Sequence, residues 1–127
     1  MKLPIVALLI ICADAPTLAQ DADIALPSGR IVTPHDVIDD TEGDAMRFRF
    51  IEPDLAMVID VIGYERLEAD MRFLCEDYAL PRLDDMPARI VVSVSDRPVP
   101  FGTRAPEASQ VFEIYRPEGG ACIWEGF

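Results

Sequence analysis

YERLEADMRFLCEDY, residues 64–78, is the stretch on which the fold reading turns. Tyr64, Leu67, Met71, Leu74, Cys75 and Tyr78 recur at three- and four-residue spacing and make one apolar stripe of a helix. Glu65, Arg66, Glu68, Asp70, Arg72, Glu76 and Asp77 cover the remaining surface, and Glu65 and Glu68 suit the positive end of a helix dipole. Pro81 stops the helix, because the residue before a proline resists helical geometry. A single striped helix needs a surface to lie on, and the segments on either side read as strands that supply one.

Arg30-Ile31-Val32 is a short strand, after an irregular start over residues 20–29. Thr33-Pro34-His35-Asp36 has the composition of a helix start, with Thr33 as cap and Pro34 in the first position, and predicts one or two helical turns. Ala45–Ile51 alternates, with Met46, Phe48 and Phe50 on one side and Arg47 and Arg49 on the other, as a half-buried strand does. Leu55–Ile62 is apolar except for Asp60 and β-branched at four positions, which predicts a further strand ended by Gly63. Ala88–Ser95 turns Ile90, Val92 and Val94 inward. Gln110–Arg116 and Ala121–Phe127 are joined by Pro117-Glu118-Gly119-Gly120, a hairpin connection.

Short connections between neighbouring strands favour antiparallel pairing. The expected fold class is therefore α+β: a mainly antiparallel sheet, one principal helix packed on it, and a C-terminal β-hairpin. A four-residue hairpin loop would set Tyr115 opposite Cys122 and Ile114 opposite Ile123. Cys122, Trp124 and Val111 then face the helix, while Phe112, Ile114 and Ile123 face away and need other cover.

The N-terminus sets the cellular context. Met1-Lys2 is positive, Leu3 to Ala13 is almost wholly apolar, and Thr17-Leu18-Ala19 offers small side chains at the two positions read by a signal peptidase. The apolar core is about 11 residues, against roughly 20 for a bilayer-spanning helix. The expectation is a signal peptide over residues 1–19, cleaved after Ala19, and one small domain over 20–127, ordered from about residue 28. A short membrane anchor is the alternative. The product would be periplasmic or secreted, with no stable membrane insertion after cleavage.

The chain carries a net charge of −12, and removing Lys2 together with Asp14 leaves that unchanged. Lys2 is the only lysine, so every base of the remaining domain is arginine. Such a surface repels nucleic-acid phosphate and anionic lipid, and nucleic acid is not an expected partner. Cys12 leaves with the signal, so Cys75 and Cys122 remain in a disulfide-permissive compartment. One bridge is the simplest reading; two free thiols or a redox pair are the alternatives, although no Cys-x-x-Cys is present.

The strings Phe73-Leu74-Cys75-Glu76, Ser95-Asp96-Arg97-Pro98-Val99-Pro100-Phe101-Gly102, Phe112-Glu113-Ile114-Tyr115-Arg116 and Cys122-Ile123-Trp124-Glu125-Gly126-Phe127 resemble a family of small exported bacterial proteins catalogued only as a domain of unknown function. The resemblance covers about Ser28 to Phe127 and brings no catalytic residue, ligand or cofactor with it. Chains of that kind sometimes bear an acetolactate synthase label. The absence of a thiamine-diphosphate signature, the short length and the export signal argue against it here.

Chemistry-bearing residues are few. Asp36, Asp39, Asp40, Glu42 and Asp44 offer oxygen ligands, but Gly43 stands in the wrong place for a helix-loop-helix calcium site, so a solvated loop is expected and no metal is assigned. His35 is the sole histidine and has no sequence-visible partner. No Gly-x-Ser-x-Gly turn and no phosphate-cradling glycine loop occur. The best surface candidate is the proline-rich loop bearing Asp96, Arg97, Phe101 and Arg104, in which arginine forks and an aromatic ring suit recognition; an ordinary connection is the bland alternative. No catalytic residue and no cofactor are assigned. The expected function is a non-enzymatic binding or accessory module of the cell envelope that recognises protein, with a small periplasmic enzyme as the runner-up.

Overall fold

The computed structural model describes residues 2–4 and 22–126. Nearly all of the expected signal peptide, and its cleavage point, lie outside the described residues. Six strands form one sheet in chain order: β1 (Ile24–Ala25), β2 (Ile31–Asp40), β3 (Ala45–Ile51), β4 (Arg89–Ser95), β5 (Gln110–Glu118) and β6 (Ala121–Trp124). All neighbours pair antiparallel except β3 and β4, which run parallel from Ala45↔Arg89 to Ile51↔Ser95. The expectation of an α+β fold, a mainly antiparallel sheet under one principal helix, is thus corrected, while the C-terminal hairpin is present. The domain is sheet-dominated, its sheet is mixed, and two short helices, α1 (Leu55–Ile62) and α2 (Tyr64–Phe73), share the crossover.

A parallel pair requires a crossover, and Leu55–Ile62 is part of it as a helix, not a strand. The helical period was present in these residues: Leu55 is buried, and Val58, Ile59 and Ile62, at steps of three, four and seven, are half-buried, while Ala56, Met57, Asp60 and Val61 face outward. β-Branching gave way to tertiary placement. Gly63, at φ 83° and ψ 150°, breaks α1 from α2 in a conformation closed to most side chains. Beyond α2 the chain widens into a π-helical turn over Leu74–Ala79, which buries Leu74, Cys75, Tyr78 and Ala79, and then a short 3-10 turn carries it through Pro81 to Arg82.

The helix expected at Thr33 is also corrected, because these residues belong to the ten-residue strand β2. Pro34 pairs with Phe50 and Asp36 with Arg49, so His35 is the extra residue of a β-bulge. A bulge is one of the few strand positions that tolerates proline, and it resets the alternation that follows. Of the start expected to be irregular over 20–29, the described residues 22–29 are more regular than expected, since β1 pairs with Ile31 and Val32 and Leu26 is buried.

The C-terminal hairpin turns on Gly119-Gly120 alone, with φ 58° and 81°, two positive values that suit glycine in a two-residue turn. Tyr115 therefore pairs with Trp124 and Pro117 with Cys122, a two-residue shift from the expected register that leaves each residue on its expected side. The core lies between the sheet and the helical crossover. Phe48, Phe50, Ile90, Val92, Val94 and Tyr115 meet Leu55, Met71, Leu74, Cys75 and Tyr78, with Tyr78 edge-on to both phenylalanines at 5.2 and 6.3 Å between ring centroids. Cys75 and Cys122 are joined in a disulfide with Cα atoms 6.2 Å apart, tying the crossover to β6.

Candidate functional site

Among the described residues, no helix lies on the opposite face of the sheet. Alternation along β3 puts Phe48 and Phe50 in the core and Arg47 and Arg49 on this open face, beside Val91 and Ser93 of β4 and Phe112 and Ile114 of β5. The bulge at His35 swings Asp36 to the same side. Arg49 donates from Nε to Asp36 Oδ1 at 2.5 Å and from Nη2 to Oδ2 at 2.6 Å, and its Nη1 donates to the Val99 carbonyl at 2.6 Å. The Arg49 hydrogen bonds hold the Asp36 carboxyl below its ordinary pKa, against a smaller opposing effect of burial, and the same bonds raise Arg49. Arg47 donates from Nε to Asp40 Oδ2 at 3.1 Å and lies over the Phe101 ring, 5.3 Å from its centroid.

The 96–109 loop folds back over this face. Its ends are tied by Asp96, whose N–H donates to Ser109 O at 3.0 Å and whose Oδ1 accepts from the Ser109 N–H at 3.2 Å. Arg97 forks onto the Asp96 carboxylate at 3.1 and 3.3 Å, and Ser95 Oγ donates to the Arg97 carbonyl at 2.7 Å. The Arg97 bond is also the main reason that the Asp96 carboxyl titrates below its ordinary value. Val99 is buried, so the loop is anchored at its two ends and at Val99.

Of the four loop residues singled out from the sequence, Asp96 and Arg97 bond to one another and Asp96 ties the loop ends. Phe101 is presented, 53% exposed, and Arg104 is exposed but does not reach the sheet-face groove. That groove, about 200 Å³, runs between the loop and the sheet and is lined by Arg47, Val91, Ser93, Phe101, Gln110 and Phe112. Phe112 is 55% exposed at its rim. Arg47 and Arg49 were missed as site residues, although their alternation with Phe48 and Phe50 already set them on one face.

A larger cleft of about 700 Å³ opens at the β2 edge, on the helix side, beside His35, Asp36, Val37, Phe50 and Tyr78. His35 Nε2 lies 3.8 Å from Asp36 Oδ2, and that carboxylate is already committed to Arg49. Thr33 Oγ1 donates to Asp23 at 2.8 Å. The 36–44 acids divide likewise: Asp36 and Asp40 hold arginines, and Asp39, Glu42 and Asp44 are exposed on the hairpin. Among the described residues no group of three or more His, Cys, Asp or Glu side chains is arranged to hold a metal ion.

A buried ionic cluster stands on the helix side. Arg30 is paired with Glu52 through both Nε and Nη2 and donates from Nη1 to Asp70 Oδ2 at 3.1 Å. Asp70 also accepts from the Ser28 N–H at 3.0 Å and from Ser28 Oγ at 2.5 Å. Burial opposes the Arg30 charge, but Glu52 and Asp70 outweigh it and raise its pKa. With its partners all internal, the cluster pins the β1 turn to α2 and the end of β3.

The molecule is thus a disulfide-tied, six-stranded mixed-sheet domain with one face under helices and the other bearing an anchored loop. Residues 9–127 match the model for the Family of unknown function (DUF6497), and the chain belongs to that family. No curated protein and no solved structure matches the chain. Among the described residues no helix is long and apolar enough to cross a membrane.

Proposed function

We propose that this is a non-enzymatic binding or accessory module of the bacterial cell envelope, exported by the 1–19 signal and acting through the open face of its sheet. The observation that carries the reading is the pair of half-exposed rings, Phe101 and Phe112, flanking a groove whose arginines are already held in place. Aromatic and arginine side chains are enriched where protein surfaces meet, and rings held by a rigid support lose little entropy on docking. A groove of this size suits one or two side chains of a protein partner better than an enclosed small molecule, whose sites run from about 300 Å³ upward. Export is supported by the charged start, the apolar core and the Thr17-Leu18-Ala19 exit, and the Cys75–Cys122 bridge is compatible with an oxidising compartment.

The test is affinity capture from the native envelope fraction with the domain from Gln20 onward, alongside its Phe101→Ala/Phe112→Ala variant. A protein retained by the parent and lost from the folded variant is the expected result. Equal retention by both moves recognition off this face, and turnover of a substrate by the isolated domain would favour an enzyme.

A further inference from the structure

The crossover helix carries a second surface that no described residue covers. Met57 and Val61, one helical turn apart, are 69% and 80% exposed, and Tyr64, just past the Gly63 break, is 66% exposed. Asp60 lies between Met57 and Val61 on the same side of α1. Across residues 54–66 the acids Asp54, Asp60 and Glu65 are exposed and make no ion pair among the described residues, and Arg66 is the only base. The open sheet face differs: there Arg47, Arg49, Arg89 and Arg116 are each held by a carboxylate.

We infer that the α1 face docks a protein partner presenting an apolar recess rimmed by arginine or lysine. Large apolar side chains on a helix gain little from exposure to water, and a run of them marks a contact surface. The unpaired acids choose among occupants. An anionic bilayer is repelled by a surface carrying −12 overall. A second copy packed by a two-fold axis would bring Asp54, Asp60 and Glu65 against themselves. A basic-rimmed partner gains both the apolar burial and the opposite charge, which also speeds its approach. The inference rests on the binding-module reading and adds to it a second contact of different chemistry, so that the domain bridges two partners.

The experiment places a photoreactive phenylalanine analogue at position 61 or, separately, at position 112, in the full chain expressed in its native envelope, followed by irradiation. The position-61 adduct is expected to be a different protein, joined at a site flanked by basic residues. Its yield should fall about tenfold in the Asp54→Lys/Asp60→Lys background, the cost of roughly one lost charge contact, while the position-112 adduct persists. It should also weaken with added salt. A lipid adduct, an adduct of two copies of this chain, a link to its own residues 5–21, no adduct, or a yield indifferent to both lysines would each overturn the inference. Loss of the position-112 adduct alone would count against the sheet-face reading and leave α1 standing.

Discussion

Arg49 grips Asp36 with two parallel hydrogen bonds, at 2.5 and 2.6 Å, across the bulge that His35 makes in β2. The same guanidinium holds the Val99 carbonyl, so one side chain links β2, β3 and the 96–109 loop. Because the folded Asp36 pKa lies below its ordinary value of 3.8, the folded state binds this proton less readily than the unfolded chain. The contribution is therefore complete above about pH 5, fades as pH falls through 4, and is lost below the folded pKa. Asp36→Asn should cost about 1 kcal/mol at pH 7, the upper range for a surface pair. Urea unfolding of parent and variant should converge toward acid; a difference that stays constant down to pH 3 would refute it.

The Arg30 cluster should weigh far more than the surface pairs. Arg30→Ala strands Glu52 and Asp70 without their cation, and a broken buried pair costs about 3–5 kcal/mol. Arg47→Ala, which loses a partly exposed pair and a ring contact, should cost about 1 kcal/mol. Equal denaturation midpoints for the two variants would show that the Arg30 cluster is not a staple.

The Cys75–Cys122 bridge joins two buried positions, and the Cys122 N–H also donates to Glu76 Oε2 at 3.0 Å. Replacing both cysteines with serine should cost about 2–5 kcal/mol in chemical denaturation. Non-reduced peptide mapping of the native protein should recover the two as one linked peptide pair. Free thiols at both positions would refute the bridge.

Tyr115 is buried, and its hydroxyl has no hydrogen-bond partner among the described residues. Burial, reinforced by Glu113, raises its pKa well above the ordinary 10. A raised pKa means that the neutral phenol stabilises the fold below about pH 10 and that this is progressively lost as pH climbs toward the folded value. Tyr115→Phe removes an unpaired hydroxyl and should leave stability at neutral pH unchanged or raise it by up to about 1 kcal/mol. Its ultraviolet absorbance titration should overlay that of the parent through the ordinary tyrosine range. A parent curve larger by one tyrosine there would place Tyr115 in contact with water.

Much of this domain was legible from local pattern. The apolar stripe from Leu67 to Tyr78 (though not its expected first member, the exposed Tyr64), the alternation in Ala45–Ile51, the inward valines of β4 and the glycine-turned hairpin are set by neighbours in the chain, and periodicity reports on neighbours. Cysteine arithmetic likewise named the bridged pair, since two thiols remained once Cys12 was assigned to the signal. What tertiary structure alone decided was everything that depends on which strand lies beside which. β3 and β4 run parallel, so the residues between them had to cross over, and Leu55–Ile62 became helix despite its β-branched side chains. Pairing with β3 offered β2 a ladder of backbone hydrogen bonds, which outweighed the capping signature at Thr33-Pro34 and turned Asp36 toward Arg49. A short motif states only what its own residues prefer, at roughly 1 kcal/mol or less each, and the pairing of distant strands, worth many such terms together, overrules it.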